Sequence, residues 1–312
     1  MSGWPRLDYA ADRPTIETIH MVLQLIGKLP TRLHPWINHG WHVALRITPR
    51  GAVTRSMPVG GRQFAVELDF LGARICIFCD GGECTELPVA GKTIAQLHAD
   101  LSGALGDLGL PAPLWGAPNE MPNPVPFTRD LAPREWDEDA ARRLHGAFLC
   151  ADKGFNVFRS LYRGKSSPSH LFWGSFDLAV TRFSGGKAPL HPGGIPALPD
   201  VVTREAYSHA VISAGFWPGG GGYDEAAFYA YAYPAAEGLS AEKVSPPEAF
   251  WYADLGEFIL PYEAVRSAVD PDGALQDFLH STYAAAARLL DWPGDLVIDD
   301  KPAFGRPPRQ PI

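Results

Sequence analysis

Residues 164–222 concentrate the side chains able to do chemistry. His170, His191 and His209 fall in this stretch together with Asp177 and Glu205. Imidazole and carboxylate donors suit zinc, iron or manganese, and three such ligands leave a coordination position open for water. On that reading the three histidines hold a divalent metal or shuttle protons. Asp177 or Glu205 serves as ligand or base, and Arg204 fixes an anionic substrate. Glu205 and His209 share a face in either a helical turn or a strand, but neither conformation reaches His170 without tertiary help. The competing reading is that these histidines make ordinary hydrogen bonds in turns and caps.

Other patterns in the same stretch are weaker. Ser169 or Ser208 beside a histidine, oriented by Asp177, lacks the glycine–x–serine–x–glycine elbow of a serine hydrolase. The loop GGKAPLHPGG (185–194) offers backbone N–H groups to an anion, helped by Lys187 and Arg182, but has no Walker spacing, and Lys165 is a further candidate for ligand binding. Trp173, Phe216, Trp217, Phe228, Tyr229, Tyr231 and Trp251 supply walls for an apolar cavity. Arg182 and Arg204 at its mouth would select a small acidic molecule. The same aromatics equally pack an ordinary core.

These residues need elements to hold them. Ile16, Ile19, Leu23 and Ile26 recur at helical spacing after Pro14, and Gly27 ends the pattern. Trp41 to Thr48 alternates as a strand. Further strands follow at 52–57, 64–70 and 73–79, and a helix runs from Thr93 to Leu108. Residues 109–133 are proline-rich and carry the apolar anchors Leu114, Trp115 and Phe127, which marks an ordered strap or linker. A long helix is expected over 137–162 and strands over 172–183, 207–216, 228–233 and 250–260, with a closing helix over 274–290. The two halves echo each other loosely. The expectation is an α+β fold with antiparallel sheets flanked by helices, in two lobes that are either pseudo-duplicated or without common ancestry. The lobes cover 1–110 and 137–298, joined by a strap over 111–136 and ending in a loosely held tail over 299–312.

Bulk properties exclude more than they suggest. The 312 residues are 46% hydrophobic and carry a formal net charge of −8, so a broad nucleic-acid footprint is not expected. Neither a leader nor a long apolar run is present, which points to a cytoplasmic protein without membrane contact. Cys76 and Cys79 have CxxC spacing, but ARICIFC reads as a strand that points them to opposite faces, so buried free thiols are expected rather than a zinc knuckle.

Several uncommon segments occur in order along the chain: NHGWHVALRITPRG (38–51), GKSSPSHLFWGSFDLAVTRFSGGKAPLHPGG (164–194), REAYSHAVISAGFWPGG (204–220), AFYAYAYP (227–234) and FLHSTYAAAA (278–287). Together they resemble DUF5996, a family of bacterial proteins without an established reaction. The resemblance implies one family domain over nearly the whole chain and supplies no catalytic assignment. Ala210 departs from the glutamate that the family pattern leads one to expect after YSH, so no role for that carboxylate carries over.

Function is therefore ranked from the residues. A small-molecule enzyme with metal-assisted hydrolytic chemistry stands first. A non-catalytic small-molecule binding module with an aromatic pocket stands second, and a structural or interaction protein third. An enzyme requires several of the polar groups to converge in a concavity; a binding module requires the aromatic pocket alone.

Overall fold

The computed structural model describes residues 3–298 apart from 196 and 221. The expected loose tail at 299–312 lies outside the described residues. The first half opens with helix α1 (Tyr9–Leu33), capped by the Asp8 carboxylate, which accepts from the Ala11 N–H. This helix starts before Pro14 and runs past Gly27, contrary to the sequence expectation. Gly27 does not terminate it. Instead its missing side chain admits the Trp173 ring, since a Cβ there would lie 2.2 Å from that ring.

The first sheet follows: β1 (Arg46–Ile47), β2 (Gly51–Val53), β3 (Met57–Val59), β4 (Arg62–Asp69), β5 (Arg74–Cys79) and β6 (Cys84–Pro88). Its order is β1-β2-β4-β5-β6, with β3 paired to β4 and every pair antiparallel. Cys76 is buried, Cys79 half-buried and Cys84 exposed, and no cysteine is disulfide-bonded among the described residues. Helix α2 (Ile94–Asp107) begins with a reciprocal Thr93–Gln96 capping box and, with α1, packs on this sheet. The expected strand from Trp41 shrinks to two residues. Asn38–Gly40 form a 3-10 turn with His39 at φ 61°, which lifts Trp41 off the sheet.

In the second half, α3 (Glu138–Ser160) is capped by Asp137. The strands β7 (His170–Phe172), β8 (Asp177–Lys187), β9 (His209–Trp217), β10 (Ala227–Tyr233), β11 (Phe250–Tyr252) and β12 (Glu257–Pro261) form a second antiparallel sheet in the order β11-β12-β10-β9-β8-β7. Short helix α4 (Asp200–Ala206) lies between β8 and β9, and α5 (Tyr262–Ser267) and α6 (Pro271–Leu289) follow β12. Helices α3 and α6 cover one face of this sheet.

Two features join the halves. Leu45 and Leu171 exchange backbone hydrogen bonds of 2.8 and 2.9 Å, bridging the neighbouring edges of the two sheets. One continuous apolar cluster runs from Trp4 through both sheets to Ala286. No helix among the described residues is long and apolar enough to cross a membrane.

Candidate functional site

Alternation along the strands of the second sheet divides its residues between two faces. Leu178 and Val180, Ile212, Ala214 and Phe216, Phe228 and Ala230, and Phe258 and Leu260 point to α3 and α6 and join the core. The opposite face carries a different set. Across it, His170, Ala179, Gly215 and Tyr229 pair in one row, and Thr181, Ser213 and Tyr231 in the next. The small residues in the middle make a floor, while His170 and Phe172 on one side and the tyrosines on the other make walls.

This face is concave. A cavity of about 500 Å³ lies over Trp217, Tyr229, Tyr231, Tyr233 and Glu257. A chamber of about 300 Å³ continues inward under His39, Trp41 and Glu120 to His170, and the two share Ser175, Asp177, Tyr207, Tyr229 and Tyr231. Volumes of this order are those of small-molecule sites, about 300–1,000 Å³. Helix α4 and the loop before it form part of the chamber roof through Val202, Thr203 and Leu198.

The rings are held by their hydroxyls and by each other. Tyr207 and Tyr231 hydroxyls are hydrogen-bonded at 2.7 Å. His191 stacks on Tyr207 with ring centroids 4.9 Å apart, and its Nδ1 accepts from the Gly193 N–H at 3.0 Å. Tyr229 donates to Asp177, whose other oxygen accepts from Ser175 at 2.5 Å. Gly215 makes that reach possible, since a Cβ there would sit 2.3 Å from the Tyr229 hydroxyl.

Three carboxyls face this space: Asp177, Glu120 and Glu257. None of them is ion-paired among the described residues, and neither cavity is lined by lysine or arginine. Burial, then the charge of Asp177, raises Glu257 to about 8 and Glu120 to about 7. Burial also raises Asp177, opposed by the hydrogen bonds from Ser175 and Tyr229. His170 is driven the other way, to about 4, by burial. Its Nδ1 donates to the Pro168 carbonyl at 2.7 Å, while Nε2 has no partner among the described residues.

Helix α1 positions two of the carboxyls. Buried Gln24 exchanges hydrogen bonds of 2.8 Å with the backbone of Asn119, next to Glu120, and donates to the Gly174 carbonyl at 3.0 Å in the turn before Asp177. Gly174 lies against the Glu120 carboxyl, where a Cβ would come within 2.0 Å of Oε1.

The family model for the Family of unknown function (DUF5996) matches residues 4–298. The chain belongs to DUF5996. No curated protein and no solved structure matches it. The cavity of this DUF5996 protein is built from the segments that carry the resemblance: 38–51 roofs it, and 164–194, 204–220 and 227–234 supply its strands and walls. Ala210 is buried and shares the core-facing side of β9 with Ile212, so a side chain there points away from the cavity.

The residues singled out from sequence separate in space. Asp177, His170, His191 and Trp217 line the cavities. Arg182 is on the opposite face, fully buried against the rings of Phe158, Tyr162 and Tyr283, where it cannot meet a ligand at the mouth. Trp173 packs against Gly27 of α1, and Phe216, Phe228 and Trp251 serve the core. Glu205 accepts from the His39 N–H at 2.8 Å and so fixes the roof turn. Arg204 reaches the carbonyls of His191 and Pro192 and the carboxylate of Asp200. Lys165, Lys187 and His209 are exposed. Among the described residues no group of three or more His, Cys, Asp or Glu is arranged to hold a metal ion. Glu120, Glu257 and Tyr233 were not anticipated. Tyr233 was legible, because AFYAYAYP places Tyr229, Tyr231 and Tyr233 on one face of a strand.

Proposed function

We propose that this protein is a small-molecule binding module whose ligand occupies the cavity on the outer face of the second sheet. The supporting observation is that Trp217, Tyr229, Tyr231 and Tyr233 of this face, with Tyr207 at the end of α4, surround a concave space that α4 and the 38–51 turn roof only in part. A sheet face that only had to meet water would carry polar residues at these alternate positions. The walls are preformed by ring stacking and hydroxyl hydrogen bonds, so little ordering accompanies binding. A metal-assisted hydrolase has less support, because His170, His191 and His209 do not form a ligand set with the acids. A cytoplasmic setting belongs to the same proposal, since unpaired thiols suit a reducing compartment.

Native mass spectrometry of untagged protein, purified gently and without chelator, tests this reading. The expected spectrum shows an organic adduct that Tyr231→Ala removes while the protein stays folded by circular dichroism. A divalent metal near one per chain, lost on His170→Ala or His191→Ala, would return the hydrolase to first place. A ligand-free mass, with no thermal stabilisation by a metabolite library, would reject the binding module.

A further inference from the structure

We propose that the cavity recognises an organic cation: an ammonium, guanidinium or quaternary ammonium group on an apolar body. This rests on the reading of the cavity as a ligand site and names the chemistry that the site selects.

Three independent features of the lining agree. The first is the aromatic set, in which Tyr207, Tyr229, Tyr231, Tyr233 and Trp217 surround the outer chamber. Ring faces carry negative potential and attract cations, most strongly where water is excluded. The second is the set of carboxyls: Asp177 sits where the two chambers meet, with Glu257 lining the outer one and Glu120 the inner. Among the described residues, no lysine or arginine lines either chamber. An anionic ligand would suppress the ionisation of these three carboxyls and find no lysine or arginine among the described lining residues. The third is His170, 4% exposed, which lines the inner chamber with an Nε2 that nothing among the described residues satisfies. Its Nδ1 proton is engaged by the Pro168 carbonyl, so Nε2 is an acceptor. Carboxylates and this nitrogen all call for a donor. The Tyr229 hydroxyl is already spent on Asp177.

Proton linkage follows. Facing Glu257 are Asp177 from β8, Tyr229, Tyr231 and Tyr233 from β10, Tyr207 beyond α4 and His191 from the loop; Glu120 faces Asp177, His39 and His170. Without a ligand, burial keeps protons on Glu120 and Glu257 up to about pH 7 and 8. A bound cation stabilises the ionised carboxyls, so it displaces protons, and its affinity rises as pH rises through this window.

The test uses four probes of similar body and different charge: benzyltrimethylammonium, phenethylamine, 2-phenylethanol and phenylacetate. The readout is the Trp217 indole N–H resonance, assigned with Trp217→Phe. Both cations are expected to shift it at pH 8 with at least tenfold higher affinity than the alcohol or the anion. Affinity for benzyltrimethylammonium, which does not titrate, should rise at least tenfold from pH 6 to pH 8, and Glu257→Gln should remove most of that rise. Asp177→Asn provides a second variant, and the wild-type charge and pH series decides the matter if either variant misfolds. Phenylacetate or 2-phenylethanol binding as tightly as the cations would overturn the cation assignment and leave the cavity as a ligand site. If none of the four probes moved Trp217, the cation assignment would fall, while the ligand site itself would stand or fall with the native mass spectrum and the metabolite library.

Discussion

At the scale of single residues, the site is a set of groups held in states they do not prefer in water. Glu257 is the clearest: half-buried, without a counter-ion, and raised to about 8 by burial and then by Asp177. An unfolded glutamate titrates near ~4.3, so between that value and about 8 the folded chain binds more protons than the unfolded one. Stability from this group is therefore full at low pH and is lost as pH rises through its folded value. The melting temperature of ligand-free protein should carry a falling component from pH 5 to pH 8 that Glu257→Gln removes; a pH dependence unchanged in the variant would remove Glu257 as its source. Little of this was legible in sequence. Asp177 and Trp217 stood out by type and spacing, whereas Glu120 and Glu257 lie in a proline-rich strap and after a hairpin turn, far from the suspicious stretch. Arg182 shows the opposite failure. Its charge suggested a ligand partner, but strand alternation sends it to the core side, where three rings and the Phe158 carbonyl receive it.

At the scale of elements, helical and strand periodicity located α2, α3, α6, β4, β5, β9 and β10, whereas β6 was not expected and the single strands expected over 172–183 and 250–260 are the pairs β7–β8 and β11–β12. The misses have local causes. Helix α1 outran its expected bounds because Asp8 caps it earlier and because Gly27 accommodates Trp173 instead of ending the helix. The expected strand at Trp41 yielded to a 3-10 turn whose His39 N–H is claimed by Glu205, a contact from a distant part of the chain. What α1 does for the site depends on Gln24, which ties both the strap at Asn119 and the turn at Gly174. Gln24→Leu keeps the volume but leaves these backbone groups unpartnered, at about 1–3 kcal/mol for each buried group. We expect this variant to melt earlier and to bind benzyltrimethylammonium at least tenfold more weakly, while retaining the far-UV spectrum of the wild type. Wild-type affinity in Gln24→Leu would show that Glu120 and Asp177 are positioned without it.

At the scale of the whole molecule, the halves are interlocked through the start of the chain. Trp4 is 5% exposed and packs against Phe228 and Tyr262 with ring centroids 5.9 and 5.7 Å away, and its indole N–H reaches Asp272 at 3.1 Å. The Tyr262 hydroxyl donates to the Pro5 carbonyl at 2.7 Å. The first residues thus dock on the second half before α1 returns to the first. Trp4→Ala is expected to cost about 3–5 kcal/mol, and urea unfolding of both proteins should give coincident transitions by tryptophan fluorescence and circular dichroism. Two separated transitions would instead indicate lobes that unfold independently. The seam at Leu45 and Leu171 has a further consequence, for solubility. A strand at the border of a sheet offers unpaired backbone groups to any other chain, and such borders seed aggregation. By joining β1 to β7, the seam turns two of these borders inward. Of the edge strands that remain, β6 exposes Glu86 and ends in Pro88, and the three-residue β3 carries Pro58, all of which discourage pairing. The third, β11, is the uncharged run Phe250, Trp251 and Tyr252. Strand addition by a second, partly unfolded chain therefore has one favoured docking rail, and it lies on the opposite side of the second sheet from the seam.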